Sequence, residues 1–165
     1  MISRRTFLGG AAAAAALSGC ASTKFRTYEG PPVTQVVAIK SRRELHLLSG
    51  ATTLRSFAME LGNEPVGHKR MEGDGRTPEG LYLVDRRNPN SQYYLSVGID
   101  YPNAADRARA EALGVRPGGD IFIHGTPREK RGLDDWTAGC MAVSNREIED
   151  IYAMVRDGTP MLIQA

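Results

Sequence analysis

The sequence predicts a mainly β domain with peripheral helices, an α+β arrangement, on three observations. Apolar residues come mostly in short runs such as Gln35-Val36-Val37-Ala38-Ile39 and Met161-Leu162-Ile163, of strand length and too short for helices. Turn formers separate them: the chain holds 18 Gly and 9 Pro, which permit tight turns and interrupt helices. Only two windows carry helix start and stop signals. The first 20 of the 165 residues read as a leader, and the remaining 145 suit one domain with one core.

The leader opens with a twin-arginine start, Ser3-Arg4-Arg5-Thr6-Phe7-Leu8, followed by an alanine-rich apolar stretch from Gly9 to Leu17. That stretch is short for a permanent bilayer span and suits the apolar region of a signal peptide. It ends in Leu17-Ser18-Gly19-Cys20, which resembles a bacterial lipobox, so Cys20 is the expected lipidation site. Residues 1–20 are thus a signal peptide, residues 21–33, polar and containing Pro31-Pro32, a tether, and residues 34–165 the folded domain. The expected address is exported, lipid-anchored at the periplasmic face. Ala21 is not the Asp that often retains lipoproteins at the inner membrane, so the outer membrane is the expected one of the two. Of 21 basic and 19 acidic residues, the leader takes Arg4 and Arg5, leaving 19 against 19. Near-neutrality argues against nucleic acid as a partner and leaves the lipid anchor as the membrane contact.

After the tether the elements follow in order. Gln35–Ile39, Glu44–Leu48 and Leu54–Met59 are three short strands with tight turns, an expected antiparallel meander. Gly62 to Gly80 is glycine-rich and charged, yet it feeds the strand Leu81-Tyr82-Leu83-Val84, so it is an ordered loop. It is not a phosphate-binding loop, because no Gly-Lys-Ser/Thr leads into a helix. Asn103 caps a helix over Ala104–Leu113, with Asp106 near its positive end and Gly114 as the stop. Ile121-Phe122-Ile123 is a strand ending at His124. Ser144-x-x-Glu147 is a capping box, and Ile148, Ile151, Tyr152 and Val155 form the apolar stripe of a second helix that ends by Gly158. Met161-Leu162-Ile163 is the last strand.

With Cys20 assigned to lipid, Cys140 is an unpaired thiol expected in an oxidising compartment, 16 residues after His124. A thiol reacts as thiolate and needs a base or a field that lowers its pKa. Two adjacent strand ends bring such a pair within reach; the alternative is a buried structural cysteine. His46, His68 and His124 are scattered with no ligand spacing, so no metal site and no cofactor are expected.

Thr77-Pro78-Glu79-Gly80, Ile123-His124-Gly125-Thr126 and Thr137-Ala138-Gly139-Cys140 resemble, in that order, the motifs of the L,D-transpeptidase catalytic domain family (YkuD type). The loop Gly67-His68-Lys69-Arg70 with Glu72-Gly73-Asp74-Gly75-Arg76, the run Ser96 to Asn103, Gly118-Gly119-Asp120-Ile121 and Asp135-Trp136-Thr137 place it nearest the YafK-like branch. The resemblance spans roughly Val36 to Ile163. It implies an L,D-transpeptidase-type β-sandwich or mixed-sheet domain acting on peptidoglycan stem peptides, with a wall-linked lipoprotein as a further candidate partner. It implies Cys140 as nucleophile and His124 as base, with the Gly125 carbonyl orienting the imidazole and the N–H groups around Gly139 and Cys140 holding the oxyanion. Arg76, Thr137 and Trp136 are substrate-binding candidates, Trp136 reading equally well as core; His68 and Asn145 join them as candidates that also read as structural.

The chain departs from the family pattern at Ala142, where many members carry Arg or Asn, and at Ala138, where others have His. That leaves the acyl acceptor open. The leading expectation is a transpeptidase. A hydrolase on the same fold, trimming stem peptides or detaching wall-linked protein, is the first alternative, and a non-catalytic wall-binding lipoprotein the second. Sortases place His and Cys further apart and use a catalytic Arg in a context this chain lacks; papain-like peptidases reverse the order of the pair.

Overall fold

The computed structural model describes residues 23–165; the leader and Cys20 lie outside them. In chain order the elements are β1 (Gln35–Ile39), β2 (Glu44–Ser49), β3 (Thr52–Ala58), β4 (Gly80–Asn88), β5 (Ser96–Ile99), α1 (Ala104–Ala112), β6 (Phe122–Gly125), β7 (Met141–Val143), α2 (Asn145–Met154) and β8 (Pro160–Gln164). β1, β2 and β3 form the antiparallel meander that their spacing predicts. Arg43, at φ 54°, turns β1 into β2 through a single 3-10 turn. Val36 and Ala38 on β1, and Leu45 and Leu47 on β2, are wholly buried, the alternation of a sheet with one face on the core.

β8 joins β1 in parallel, and β4 joins β8 antiparallel. The register of β4 slips between Val84 and Arg86, and its second half pairs with β5. The irregularity bends the strand and lets it serve both halves of the sheet. β6 continues antiparallel to β5, and β7 parallel to β6. The order is β3-β2-β1-β8-β4-β5-β6-β7. The chain leaving β3 then bridges Glu60 to Ala142 and Gly62 to Thr137 on the β7 side. The mixed sheet therefore closes on itself like a barrel, which pairs edges that would otherwise be open. Val36, Leu45, Tyr82, Val97, Ile123 and Met141, drawn from both halves, share one core.

Three strand limits differ from expectation. β3 begins at Thr52, β4 runs on to Asn88, and β5 had no strand signal of its own. All four residues of β5 are buried, so it lacks the polar alternate positions that reveal a strand. Its Gly98 is required by crowding: a Cβ there would lie 2.8 Å from Arg86 Cγ and 3.0 Å from Phe122 Cε1.

Both helices carry the capping boxes read from sequence, Asn103 with Asp106 and Ser144 with Glu147. Asp106 does more than face the helix N-terminus: it is buried, accepts from Tyr82 Oη at 3.1 Å and lies 3.3 Å from His68 Nε2. α2 buries Ile148 and Ile151 against β5 and β6. The long loop is ordered, as expected. Buried Lys40 donates to the carbonyls of Gly67 at 2.5 Å and Thr77 at 3.1 Å and to Glu79 Oε1 at 2.7 Å. Lys69 and Asp74 pair within the loop at 2.8 Å.

The expected tether is not free along its length. Phe25 packs on Tyr152 of α2 with ring centroids 6.1 Å apart, and Arg26 pairs with Glu149 and Asp150 at 2.7 Å. Polar composition concealed this, because its partners are on a helix more than a hundred residues away.

Candidate active site

His124 and Cys140 meet through the parallel pairing of β6 and β7. The register sets Ile123 against Met141 and His124 against Ala142. Continued by one residue, that register places Cys140, immediately before β7, against Phe122, two positions along β6 from His124. His124 and Cys140 both line one cavity of ≈ 300 Å³ whose walls include Ser96, Asp120, Phe122 and Tyr93.

His124 is 2% exposed. Its Nδ1 lies 2.8 Å from the Gly125 carbonyl. A carbonyl only accepts, so the hydrogen-bonded imidazole carries its proton on Nδ1 and keeps the Nε2 lone pair for a proton from elsewhere. Tyr93 stacks on the ring at 4.4 Å between centroids and 23° between planes, and Trp136 meets it edge-on at 5.6 Å. Burial pushes the imidazole below its ordinary value of 6.5, an effect the Gly125 carbonyl partly opposes. The ring therefore stays neutral, as a base must, at neutral pH. Burial raises the Cys140 thiol above its ordinary 9.0, and the nearby Asp120 carboxylate adds to the rise. The thiol donates to the Asp120 carbonyl at 3.4 Å, and Asp120 itself sits at φ 55°. Both shifts favour an uncharged thiol and imidazole at rest.

The turn before Cys140 is closely tied. Thr137 is 5% exposed; its Oγ1 donates to the Cys140 carbonyl at 2.8 Å and accepts from the Gly139 N–H at 3.1 Å. Its own N–H donates to Leu61 O at 3.0 Å. Thr137, a substrate-binding candidate by sequence, thus also shapes the turn. The Gly139 N–H is also occupied, while the N–H groups of Ala138 and Cys140 have no protein acceptor among the described residues. Asp135 anchors the segment from upstream at φ 43°, taking two bonds from Arg43, at 2.8 Å and 2.5 Å, and one from Leu61 N at 3.0 Å.

The other candidates disperse. Arg76 presents its backbone to the site: its carbonyl abuts Gly139, while its side chain lines a different cavity with Arg70, Met71 and Leu113. His68 accepts from Glu79 N at 2.9 Å and lies against Asp106, away from Cys140. Trp136 touches the imidazole on one side and on the other lines a second cavity of ≈ 440 Å³ with Lys130, Ala142 and Asn145. Ala142, the departure from the family pattern, is 1% exposed and faces that second cavity.

Two residues at the site had no site role assigned from sequence, although Asp120 lies in the Gly118–Ile121 motif. Tyr93 lies in a turn-rich stretch without periodicity and reaches His124 only because the β4–β5 connection folds over β6. Asp120 contributes its main-chain carbonyl, which no side-chain pattern encodes.

The model of the YkuD family, the L,D-transpeptidase catalytic domain, matches residues 33–163. YafK of Escherichia coli (strain K12) is 36% identical over 92 residues, which are 54% of this chain and 32% of YafK. The crystal structure of the helical cell shape determining protein Pgp2 of Campylobacter jejuni superposes with a TM-score of 0.64 at 26% identity, covering 82% of this chain and 49% of Pgp2. An L,D-transpeptidase of Mycobacterium smegmatis, 16% identical, shares the fold with a TM-score of 0.55 over 79% of this chain and 58% of its own. The chain matches about a third of the length of YafK and half that of Pgp2.

Proposed function

The chain belongs to the L,D-transpeptidase catalytic domain family, and from that premise we propose that it is a cell-wall L,D-transpeptidase working through Cys140 and His124. The supporting observation is the one cavity lined both by the thiol and by an imidazole whose Nδ1 is held by the Gly125 carbonyl. The donor is a tetrapeptide stem of peptidoglycan. As Sγ attacks the carbonyl of the diamino acid, His124 Nε2 takes the thiol proton. The C–N bond to the terminal D-Ala breaks, and the imidazolium returns its proton to that leaving amine. A thioester remains on Cys140. The amine of a second stem, or of a protein, attacks it and loses its proton to His124, and the thiol is regenerated. The Cys140 N–H is a donor offered to the oxyanion; one such donor contributes about 2.7–4 kcal/mol in comparable sites.

A hydrolytic outcome is the second reading, favoured by Ala142. A buried methyl group stands where many relatives offer a polar side chain, so this position gives an incoming amine no hydrogen bond. Water needs no such contact, and the products would be trimmed stems or a released wall-linked protein.

The test incubates the full chain, beside Cys140→Ala, with tetrapeptide muropeptides and with whole sacculi, and reads masses. Dimers formed with loss of D-Ala, absent from the variant, are the expected result. Shortened stems or freed protein without dimers select hydrolysis, and no product from either substrate overturns both readings.

We also propose that Cys20 carries the lipid that holds the enzyme at the periplasmic face of the outer membrane. The mature N-terminal peptide is expected to begin at Cys20 with the added mass of acyl chains. A mature chain without that mass overturns the anchor.

A further inference from the structure

We propose that Lys24 is a positioning residue for the active site: residues 24–26 strap down the loop from Asn88 to Tyr94 where Tyr93 covers His124. The inference rests on the reading of Cys140 and His124 as the reacting pair. Lys24 Nζ donates to Pro89 O at 2.5 Å and to Tyr94 O at 3.3 Å, gripping the loop on both sides of Tyr93. The ammonium also lies 5.6 Å from the ring centroids of Phe25 and Tyr94. The other end of the strap is fastened to α2. Phe25 packs on Tyr152, and Arg26 pairs with Glu149 and Asp150. Glu149 in turn accepts from Tyr94 Oη at 2.6 Å, so α2, strap and loop form one network.

Besides Lys24, the loop is held to the fold by the Tyr94–Glu149 bond, the Gly125 N–H and the Tyr93 ring contacts. Its internal bonds are local turns, such as Tyr94 N to Ser91 O at 3.1 Å and Asn90 N to Asn88 Oδ1 at 2.9 Å. Yet it carries two contacts that shape the site. The Tyr93 ring shields the imidazole, and the Tyr93 carbonyl accepts from the Gly125 N–H at 3.0 Å. Gly125 is the residue whose own carbonyl orients His124. Asn88, Ser91 and Gln92 of the same loop line the catalytic cavity. The strap begins four residues after Cys20, so it links the proposed anchor to the wall of the cleft.

Loss of the Lys24 ammonium frees the Pro89 and Tyr94 carbonyls to bind water, and the loop lifts from His124. A hydrated imidazole protonates more readily. The titratable and charged groups around it are Cys140, Tyr93 and Asp120 across the cavity, Arg86 paired with Asp120 at 3.1 Å, Lys69 on the far side of Cys140, and Lys130 beyond Trp136. None moves with the strap except Tyr93.

The experiment uses the full chain carrying Cys20→Ser, so that Cys140 is the sole thiol, alone and with Lys24→Ala or Lys24→Arg. Lys24→Ala is expected to lower kcat/KM on muropeptides about tenfold to a hundredfold, as small misplacements of reacting groups do. The acid limb of its pH profile should move to higher pH, with Tm unchanged within about 2 °C. Lys24→Arg should restore most of the activity. Alkylation of Cys140 by iodoacetamide should extend to lower pH in Lys24→Ala, because a protonated imidazole beside it favours thiolate. This arm needs no muropeptide turnover, so it reports on the strap even where the functional reading fails. Unchanged profiles in Lys24→Ala overturn the proposal. So does equal loss in both variants with a lowered Tm, which would make Lys24 merely structural.

Discussion

Replacing His124 by Asn is expected to lower kcat/KM on a stem tetrapeptide by about 10²–10⁴, the usual contribution of a positioned acid–base group. The size follows from the resting state of the proposed pair. Burial pushes the Cys140 thiol up and the His124 imidazole down, so neither is charged near neutral pH. The sulfur cannot attack until a base takes its proton, and the leaving D-Ala amine needs that proton back. Asn can do neither. Raising the pH ionises the thiol without help, so alkylation of Cys140 in the variant should approach the wild-type rate at high pH. Turnover should stay depressed, because the leaving amine still lacks its proton donor. Turnover within about fivefold of wild type near neutral pH would remove His124 from the mechanism. For the unmutated enzyme the sign is fixed by the same shifts. The base works in its neutral form, so activity should hold as pH falls through 6.5 and decline only below it.

The second large effect is expected at Gly139→Ala. Gly139 has φ 130°, and a Cβ built there would lie 2.6 Å from the Arg76 carbonyl. Backbone atoms on both sides make that clash hard to relieve. Arg76 belongs to the loop pinned by Lys40 and Lys69, and the Gly139 N–H is tied to Thr137. The turn must therefore shift, carrying Cys140 away from His124. A displacement near 1 Å costs on the order of 10²-fold in rate, and the strained backbone costs about 1–3 kcal/mol in stability. Gly158→Ala separates strain from collision: it has φ 86° but nothing within 4 Å of the added Cβ. That control should lose about 1 kcal/mol of stability and keep full activity. Equal activity in the two variants would show that the contact with Arg76 does not hold the nucleophile in place.

The fold was legible where one face of an element meets the core. β1, β2 and both capped helices announced themselves through period and capping residues. β5 did not, because burial on every side erases the alternation. The reacting pair was legible as residue types in motif order. Its surroundings were not. Thr137, a substrate-binding candidate by sequence, braces the turn before Cys140, and Arg76, another candidate, sets its carbonyl against Gly139. Tyr93 and the Asp120 carbonyl went unseen, and both touch the proposed catalytic groups.

By itself the sequence determined the mainly β class, the capped helices, and the two residues, His124 and Cys140, on which thiol chemistry could rest. These are local properties: periodicity, caps and side-chain type depend on neighbours along the chain. Only the tertiary structure decided that β7 lies parallel beside β6, that the chain after β3 closes the sheet onto it, and that Lys24 and Tyr93 reach a site more than thirty positions further along the chain. Those relations are fixed by the bend in β4, by burial of a shared core and by hydrogen bonds across the closed sheet. Each joins segments that no local pattern links, and together they set the protonation and shielding of the imidazole.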